Sequence, residues 1–231
     1  MSPAPLPARR PAIVAIDGPA ASGKGTLARR LADHFGFDHL DSGLLYRAVG
    51  AKAVAAGIDL ADGPALAALA ASLAPGDLDA ETLRGDAAAN AASKVAALPE
   101  VRAALLAFQR DFAARPPGGQ GAVLDGRDIG TVVCPDAPYK IFLDAGAETR
   151  AARRLKELRE RGIPSIQAAV LQDLKARDER DSRRRTAPLV PATDAFRIDT
   201  SEMDPDAVFD AALAFIASTD RDAPRTSRDQ A

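Results

Sequence analysis

The feature that most constrains this chain is Gly18-Pro-Ala-Ala-Ser-Gly-Lys-Gly-Thr26, set directly after the apolar run Ala12-Ile-Val-Ala-Ile16. A short β-type run, a loop with Gly at both ends, and Lys24 opening an Ala/Leu-rich helix form the plan of a phosphate-binding loop. The glycines let the backbone curl so that successive N–H groups face phosphate oxygens, and the helix start adds a positive dipole end. Lys24 supplies a point charge for the terminal phosphates. The competing reading is an ordinary Gly-rich turn, but the strand before it and the helix after it both sit where a phosphate loop requires them. Gly25 stands where Ser or Thr is usual, and the hydroxyl comes one place later, at Thr26.

The rest of the chain reads as α/β. Strands are expected at Ala12–Ile16, Gly121–Leu124, Tyr139–Leu143 and Phe196–Ile198, with a weaker fifth at Phe37–Leu40. Each ends in a polar residue and leads into a helical pattern, which gives βαβ units around a buried parallel sheet. Helices are expected at about 24–35, 43–56, 99–115, 147–161, 165–182 and 205–218. The last starts with Asp204 as N-cap and Pro205 at the first helical position. Residues 57–94, broken by Gly and Pro and only weakly patterned, read as a small inserted substrate-binding segment. A loose Pro/Arg-rich leader is expected at 1–11 and a frayed tail at 219–231.

Composition narrows the function classes. At 231 residues and 47% hydrophobic content the chain can bury a sizeable core, yet aromatics make up only 4%, so Ala, Leu, Val and Ile must fill it. A net charge of −2 argues against nonspecific nucleic-acid binding. That balance hides ten arginines between Arg150 and Arg185. The single cysteine, Cys134, excludes an internal disulfide. No apolar stretch approaches membrane-span length, and the expectation is a cytoplasmic monomer. His34, His39 and Cys134 are given no functional role, because two histidines without a third ligand make a poor metal site.

In parallel α/β sheets ligands bind beyond the carboxyl ends of the strands. Past those ends come Asp17 and the loop, Asp41-Ser-Gly43 with Tyr46 and Arg47, Asp125-Gly-Arg-Asp128, Asp144, and Asp199-Thr-Ser201. So many acidic ends at one rim point to a site, although Asp144 reads equally well as a helix cap. Arg127 and Arg47 could grip one phosphate from two sides, since a guanidinium fork spans two oxygens. Arg177, Asp181 and Arg184 share a helical face. They could hold ribose hydroxyls and a base edge, but spacing alone favours a surface salt-bridge ladder. Arg153 and Arg154 lie in a segment, 148–165, suited to a lid that neutralises charge on a transferring phosphoryl group.

Taken together, the chain resembles the bacterial cytidylate kinases, from about Ile13 to Ile216. The resemblance rests on I-D-G-P…S-G-K-G-T-L at 16–27, L-D-S-G-L-L-Y-R at 40–47 and A-N-A-A-S-K-V-A at 89–96. It continues through V-R at 101–102, D-G-R-D-I-G-T-V-V at 125–133, P-D-A-P-Y-K-I-F-L-D at 135–144 and R-D-E-R-D-S-R-R at 177–184. The Asn-Ala-Ala-Ser run and the block at 125–144 separate this family from adenylate and shikimate kinases. The resemblance implies a P-loop kinase core over 12–218, with a five-stranded parallel sheet, an inserted nucleoside-monophosphate-binding segment at 57–98 and a short lid. It implies ATP with Mg²⁺ bridging its phosphates, and CMP or dCMP as acceptor.

By that resemblance Gly18, Pro19, Ala20, Ala21, Ser22, Gly23, Lys24, Gly25 and Thr26 bind the ATP phosphates. Thr200 and Ser201 lie near the adenine. Ser42, Arg47 and Arg127 hold the acceptor phosphate; Ser93, Arg102, Asp128 and Arg184 read the cytosine; Arg177 and Asp181 hold the ribose. Arg153 acts from the lid, and with Lys24 and Arg127 it forms the expected catalytic set. One departure stands out. The family's insert carries a small β-sheet before the Asn-Ala-Ala-Ser run, whereas Leu73–Ala89 is shorter here, so the resemblance does not extend to that sheet. A regulatory GTPase would require an Asn-Lys-x-Asp motif that the chain lacks, and the nearest enzymatic rival is a kinase for UMP or another small acceptor.

Overall fold

The computed structural model describes residues 12–79, 82–83 and 85–222. The leader expected at 1–11 lies outside the described residues. Five strands, β1 (Ala12–Asp17), β2 (Asp38–Asp41), β3 (Gly121–Gly126), β4 (Tyr139–Asp144) and β5 (Phe196–Asp199), form one sheet in the order β2-β3-β1-β4-β5. Every pairing is parallel. The strands need no polar face because helices cover both sides, which is why β3 is buried along its whole length.

Strand periodicity sorts β1 between two cores. Val14 and Ile16 pack with Leu27 and Leu31 of α1 (Lys24–Phe35), and with Val208, Ala212 and Ile216 of the C-terminal helix. Ala15 faces the other layer, with Leu124, Ile129, Val133 and Cys134. Register then aligns the strand ends: Asp41 lies opposite Asp125, and Asp144 opposite Asp199. The acids foreseen at one rim do share it.

The remaining helices are α2 (Ser42–Ala55), α3 (Gly63–Ala71), α4 (Asp86–Val95), α5 (Pro99–Ala114), α6 (Ala147–Glu160), α7 (Gln167–Arg183) and α8 (Pro205–Asp222). Asp204 caps α8 as foreseen, its Oδ1 accepting from the N–H groups of Asp206 and Ala207 at 2.9 and 2.8 Å. That helix continues through Asp222, so the tail does not begin at 219; the residues after it lie outside the described residues. Residues 57–98 hold α3, a 3₁₀ turn at Pro75–Leu78 and α4, none of them foreseen, and no strand among the described residues. Asp62 starts α3 by accepting from the Ala65 N–H at 3.0 Å. These helices gather a separate apolar core of Leu45 and Val49 from α2, Leu66, Val95, Val101 and Leu105. The segment expected as a lid is mostly α6. It packs through Leu155 and Leu158 on Val170 and Leu174 of α7, and on Ala20 of the phosphate loop.

Candidate functional site

The loop 18–23 leaves β1 and turns into α1 at Lys24. A Cβ on Gly18 would lie 2.2 Å from the Leu143 carbonyl of β4, so only glycine lets the loop pass the sheet this closely. Ala21 and Gly23 both have positive φ, 61° and 92°, which reverses successive peptides. Lys24 folds back, its Nζ donating to the Pro19 carbonyl at 3.3 Å. Burial, helped by nearby Arg127, pushes its ammonium down to about 7.

In front of the loop lies a cavity of about 290 Å³. It is lined by Lys24 and Gly25 of the loop, by Ser42, Tyr46 and Arg47 of α2, and by Ser93 of α4 and Arg102 of α5. Arg127 and Asp128 after β3, and Arg177, Asp181 and Arg184 of α7 and its C-terminal cap, complete the lining. A second opening of about 880 Å³ shares Lys24, Asp41, Arg47 and Arg154 with it, and adds Thr26 and His39.

Two ion pairs cross the cavity lining. Arg102 Nη2 donates to Asp128 Oδ2 inside the protein, with the Arg102 guanidinium lying over the Tyr46 ring. Arg127 Nε donates to Asp181 Oδ2 at 2.9 Å. Arg177 and Arg184 each approach Asp181 at 4.0 Å. Burial alone would push the Asp181 carboxyl up, but Arg127, Arg177 and Arg184 outweigh it and hold it below the usual carboxylate range. Burial, with Arg127 beside it, takes Arg177 down to about 9. The Arg177–Asp181–Arg184 face is therefore no surface ladder: it is turned inward by the packing of Val170 and Leu174 on α6. Arg177 Nε and Arg184 Nε and Nη2 are buried with no hydrogen-bond acceptor among the described residues. Buried donors of this kind are costly to leave unmade.

Other foreseen residues carry prior engagements. Ser42 Oγ donates to the Asp125 carbonyl at 2.8 Å, so it must change partner before it can donate to a phosphate. Arg47 Nη1 donates to the Leu83 carbonyl at 2.9 Å, and burial lowers its pKa. Ser93 Oγ accepts from Arg180 Nε at 3.1 Å, leaving its own hydroxyl proton for another acceptor.

Three expectations need correction. Arg153 is not brought to the cavity: its guanidinium donates to the hydroxyl and carbonyl of Thr200, and its neighbour Arg154 faces both openings. Helical geometry explains it, since adjacent residues point about 100° apart. Thr200 and Ser201 stand behind the loop instead: Thr200 Oγ1 donates to the Ser22 carbonyl at 3.2 Å, and Ser201 Oγ accepts from the Gly146 N–H at 2.9 Å. Next, not all the strand-end acids serve the cavity. Asp41 and Asp125 line it, whereas Asp17 is buried and accepts from the Ile129 and Gly130 N–H groups, both at 2.8 Å. Burial raises its carboxyl to about 7. Asp144 accepts from Ala145 N–H and does not cap α6, whose N-cap is Gly146. His39, given no functional role from sequence, has its Nε2 2.7 Å from Asp125 Oδ1. Position offered a signal for that, because His39 and Asp41 are two apart on β2 and share a face.

Burial, then Asp125, raises the Asp41 carboxyl. Asp41 and Asp125 place two carboxylates beside Lys24, oxygen donors of the kind that suit a hard divalent cation carried on polyphosphate.

Comparison with known proteins shows the family. The sequence pattern of the cytidylate kinase family matches residues 14–218. The chain is 63% identical over 206 residues to a cytidylate kinase of Paramagnetospirillum magneticum, covering 89% of this chain and 98% of that one. It is 58% identical to a cytidylate kinase of Methylocella silvestris, covering 89% and 94%. A crystal structure of an uncharacterized protein from Eubacterium ventriosum shares the fold at a TM-score of 0.50 and 16% identity, over 90% of this chain and 99% of that one. With a family pattern spanning nearly every described residue, and relatives this similar along their whole length, the chain belongs to the cytidylate kinase family.

Proposed function

We propose that this protein transfers the γ-phosphoryl group of ATP to CMP or dCMP, giving ADP and CDP or dCDP. The observation that carries the reading is the cavity itself. Lys24 of a phosphate loop, the buried Arg102–Asp128 pair and Arg47, Arg127, Arg177 and Arg184 all line this one space. ATP lies along the loop from Gly18 to Thr26. Arg47, Arg127 and, after a change of partner, Ser42 hold the CMP phosphate. Arg177 and Asp181 meet the ribose. Asp128 accepts from the cytosine amino group while Arg102, Arg184 and the Ser93 hydroxyl donate to ring acceptors. Asp41 and Asp125 would hold Mg²⁺ carried in with ATP, and the ion would supply charge neutralisation.

The reaction needs no covalent enzyme intermediate. A CMP phosphate oxygen attacks the γ-phosphorus in line, the bond to the β-phosphate bridging oxygen breaks, and ADP leaves with that electron pair. Lys24, Arg127 and Arg154 meet the charge that spreads over the transferring group, so catalysis is positioning plus preorganised electrostatics. We assign to Arg154 the role first expected of Arg153.

An ADP-release assay with CMP, dCMP, UMP and AMP as acceptors tests the reading. Turnover with CMP or dCMP well above UMP and AMP is the expected result. Preference for UMP would select the rival kinase, and activity with none would overturn phosphoryl transfer to nucleotides.

A further inference from the structure

Arg150 does not reach the cavity, yet it touches both sides of the reaction. It sits in the first turn of α6 and is only 5% exposed. Its Nε donates to the Ala145 carbonyl at 2.9 Å, at the end of β4. Nη1 donates to the Ala20 carbonyl of the phosphate loop at 3.3 Å. The same guanidinium forks onto Asp178 of α7, Nη1 to Oδ1 at 3.2 Å and Nη2 to Oδ2 at 2.6 Å. One rigid planar group thus ties the donor loop to the helix that carries Arg177 and Asp181.

Each contact has a geometric consequence. A trans peptide points its C=O and the next N–H in opposite directions. Holding the Ala20 carbonyl from behind therefore turns the Ala21 N–H toward the front of the loop, where phosphate oxygens bind. On the other side, Asp178 is adjacent to Arg177 and three residues before Asp181, so fixing Asp178 fixes the last turns of α7. A group ordered once serves both ligands, and the second to bind meets a site already ordered.

Resting on the proposed acceptor site, we infer that Arg150, through Asp178, is a positioning residue that makes donor and acceptor binding cooperative. Phosphates on the loop lock the Ala20–Ala21 peptide; the locked loop holds Arg150; Arg150 holds Asp178 and with it the ribose-binding turn. Linkage requires the reverse as well, so CMP tightens ATP by the same factor.

The test is calorimetric titration of CMP into the protein alone and into protein saturated with a non-hydrolysable ATP analogue and Mg²⁺. Wild type should bind CMP about ten-fold more tightly with the analogue present, within the usual range of coupling between sites. Asp178→Ala should lose most of the tightening, read as the ratio of its CMP affinities with and without the analogue. Arg150→Lys keeps the charge without the fork, and should lose it too. Asp178→Asn gives the same measurement if the alanine variant does not fold. Retention of the wild-type tightening in these folded variants would reduce Arg150 to a structural staple and overturn the inference. So would equal CMP affinity, with and without analogue, in the wild type. A wild-type protein that binds no CMP under either condition overturns instead the reading of the acceptor site.

Discussion

The carboxylate of Asp128 closes on Arg102, 26 residues upstream on α5, and both side chains are buried in the wall of the cavity. Arg127, one residue before it, turns the other way and closes on Asp181 of α7. Two neighbouring residues after β3 thus anchor opposite walls, and a base placed between them meets a carboxylate already aimed by its arginine.

Cytosine presents an amino donor where uracil presents a carbonyl oxygen, so an ionised Asp128 attracts one and repels the other. Asp128→Ala should lower kcat/KM for CMP on the order of 100-fold and for UMP far less, compressing the ratio between them. Steady-state kinetics with both acceptors on one preparation checks this. An unchanged ratio would make Asp128 only a brace for Arg102.

Lys24 gives a proton-linkage prediction. Its amine sits near 7 in the free protein because burial, reinforced by Arg127, disfavours the charged form. Phosphates arriving beside it restore the charge and raise the pKa. The bound state therefore holds more protons than the free state above about pH 7, so binding takes up protons and affinity falls as pH rises from there. Titrating an ATP analogue in two buffers of different ionisation enthalpy at about pH 8 measures the uptake. Lys24→Ala should abolish it and lower kcat on the order of 100-fold or more.

Arg153 and Arg154 should separate kinetically. Arg154→Ala should lower kcat roughly ten- to hundred-fold, with small changes in either KM. Arg153→Ala should chiefly raise KM for ATP, because Thr200, which it holds, in turn holds the Ser22 carbonyl. Initial-rate matrices in both substrates distinguish the two outcomes.

Gly50 is where α2 and α4 meet. A Cβ there would lie 2.8 Å from the Ala91 Cβ, closer than packed atoms come. Gly50→Val should push α4, with Ser93, away from α2, with Arg47. We expect a loss of about 1–3 kcal/mol in stability and roughly a ten-fold rise in KM for CMP, with KM for ATP nearly unchanged. Denaturant melts and acceptor titrations measure the two effects.

Strand and helix patterns located the sheet and six of the eight helices because those segments contrast apolar with polar residues. Residues 63–71 lack such contrast. Alanine fills buried and exposed positions alike there, as at Ala70 and Ala71, so α3 leaves little periodic signal, whereas α4 has an apolar face that the surrounding Gly and Pro breaks obscure. The loop and its Lys24 were legible because their spacing is the chemistry. Arg177, Asp181 and Arg184 could be grouped by spacing, but which way the face turned depended on α6, distant in the reading. The choice between Arg153 and Arg154 failed for a related reason: both are arginines on one helix, and only the rotation of α6 about its axis separates them. Asp17 was placed at the rim by pattern, yet the π-type turn at Ile129–Val133 that it supports has no sequence signature.

The phosphate loop is shaped as much from outside as from within. Its carbonyls at Ala20 and Ser22 are held by Arg150 and Thr200, which lie far along the chain. Portability is therefore poor: the nine residues from Gly18 to Thr26, transplanted onto another strand and helix, would carry the glycines and the lysine but not the grip. A designer grafting this loop would have to bring two distant side chains with it.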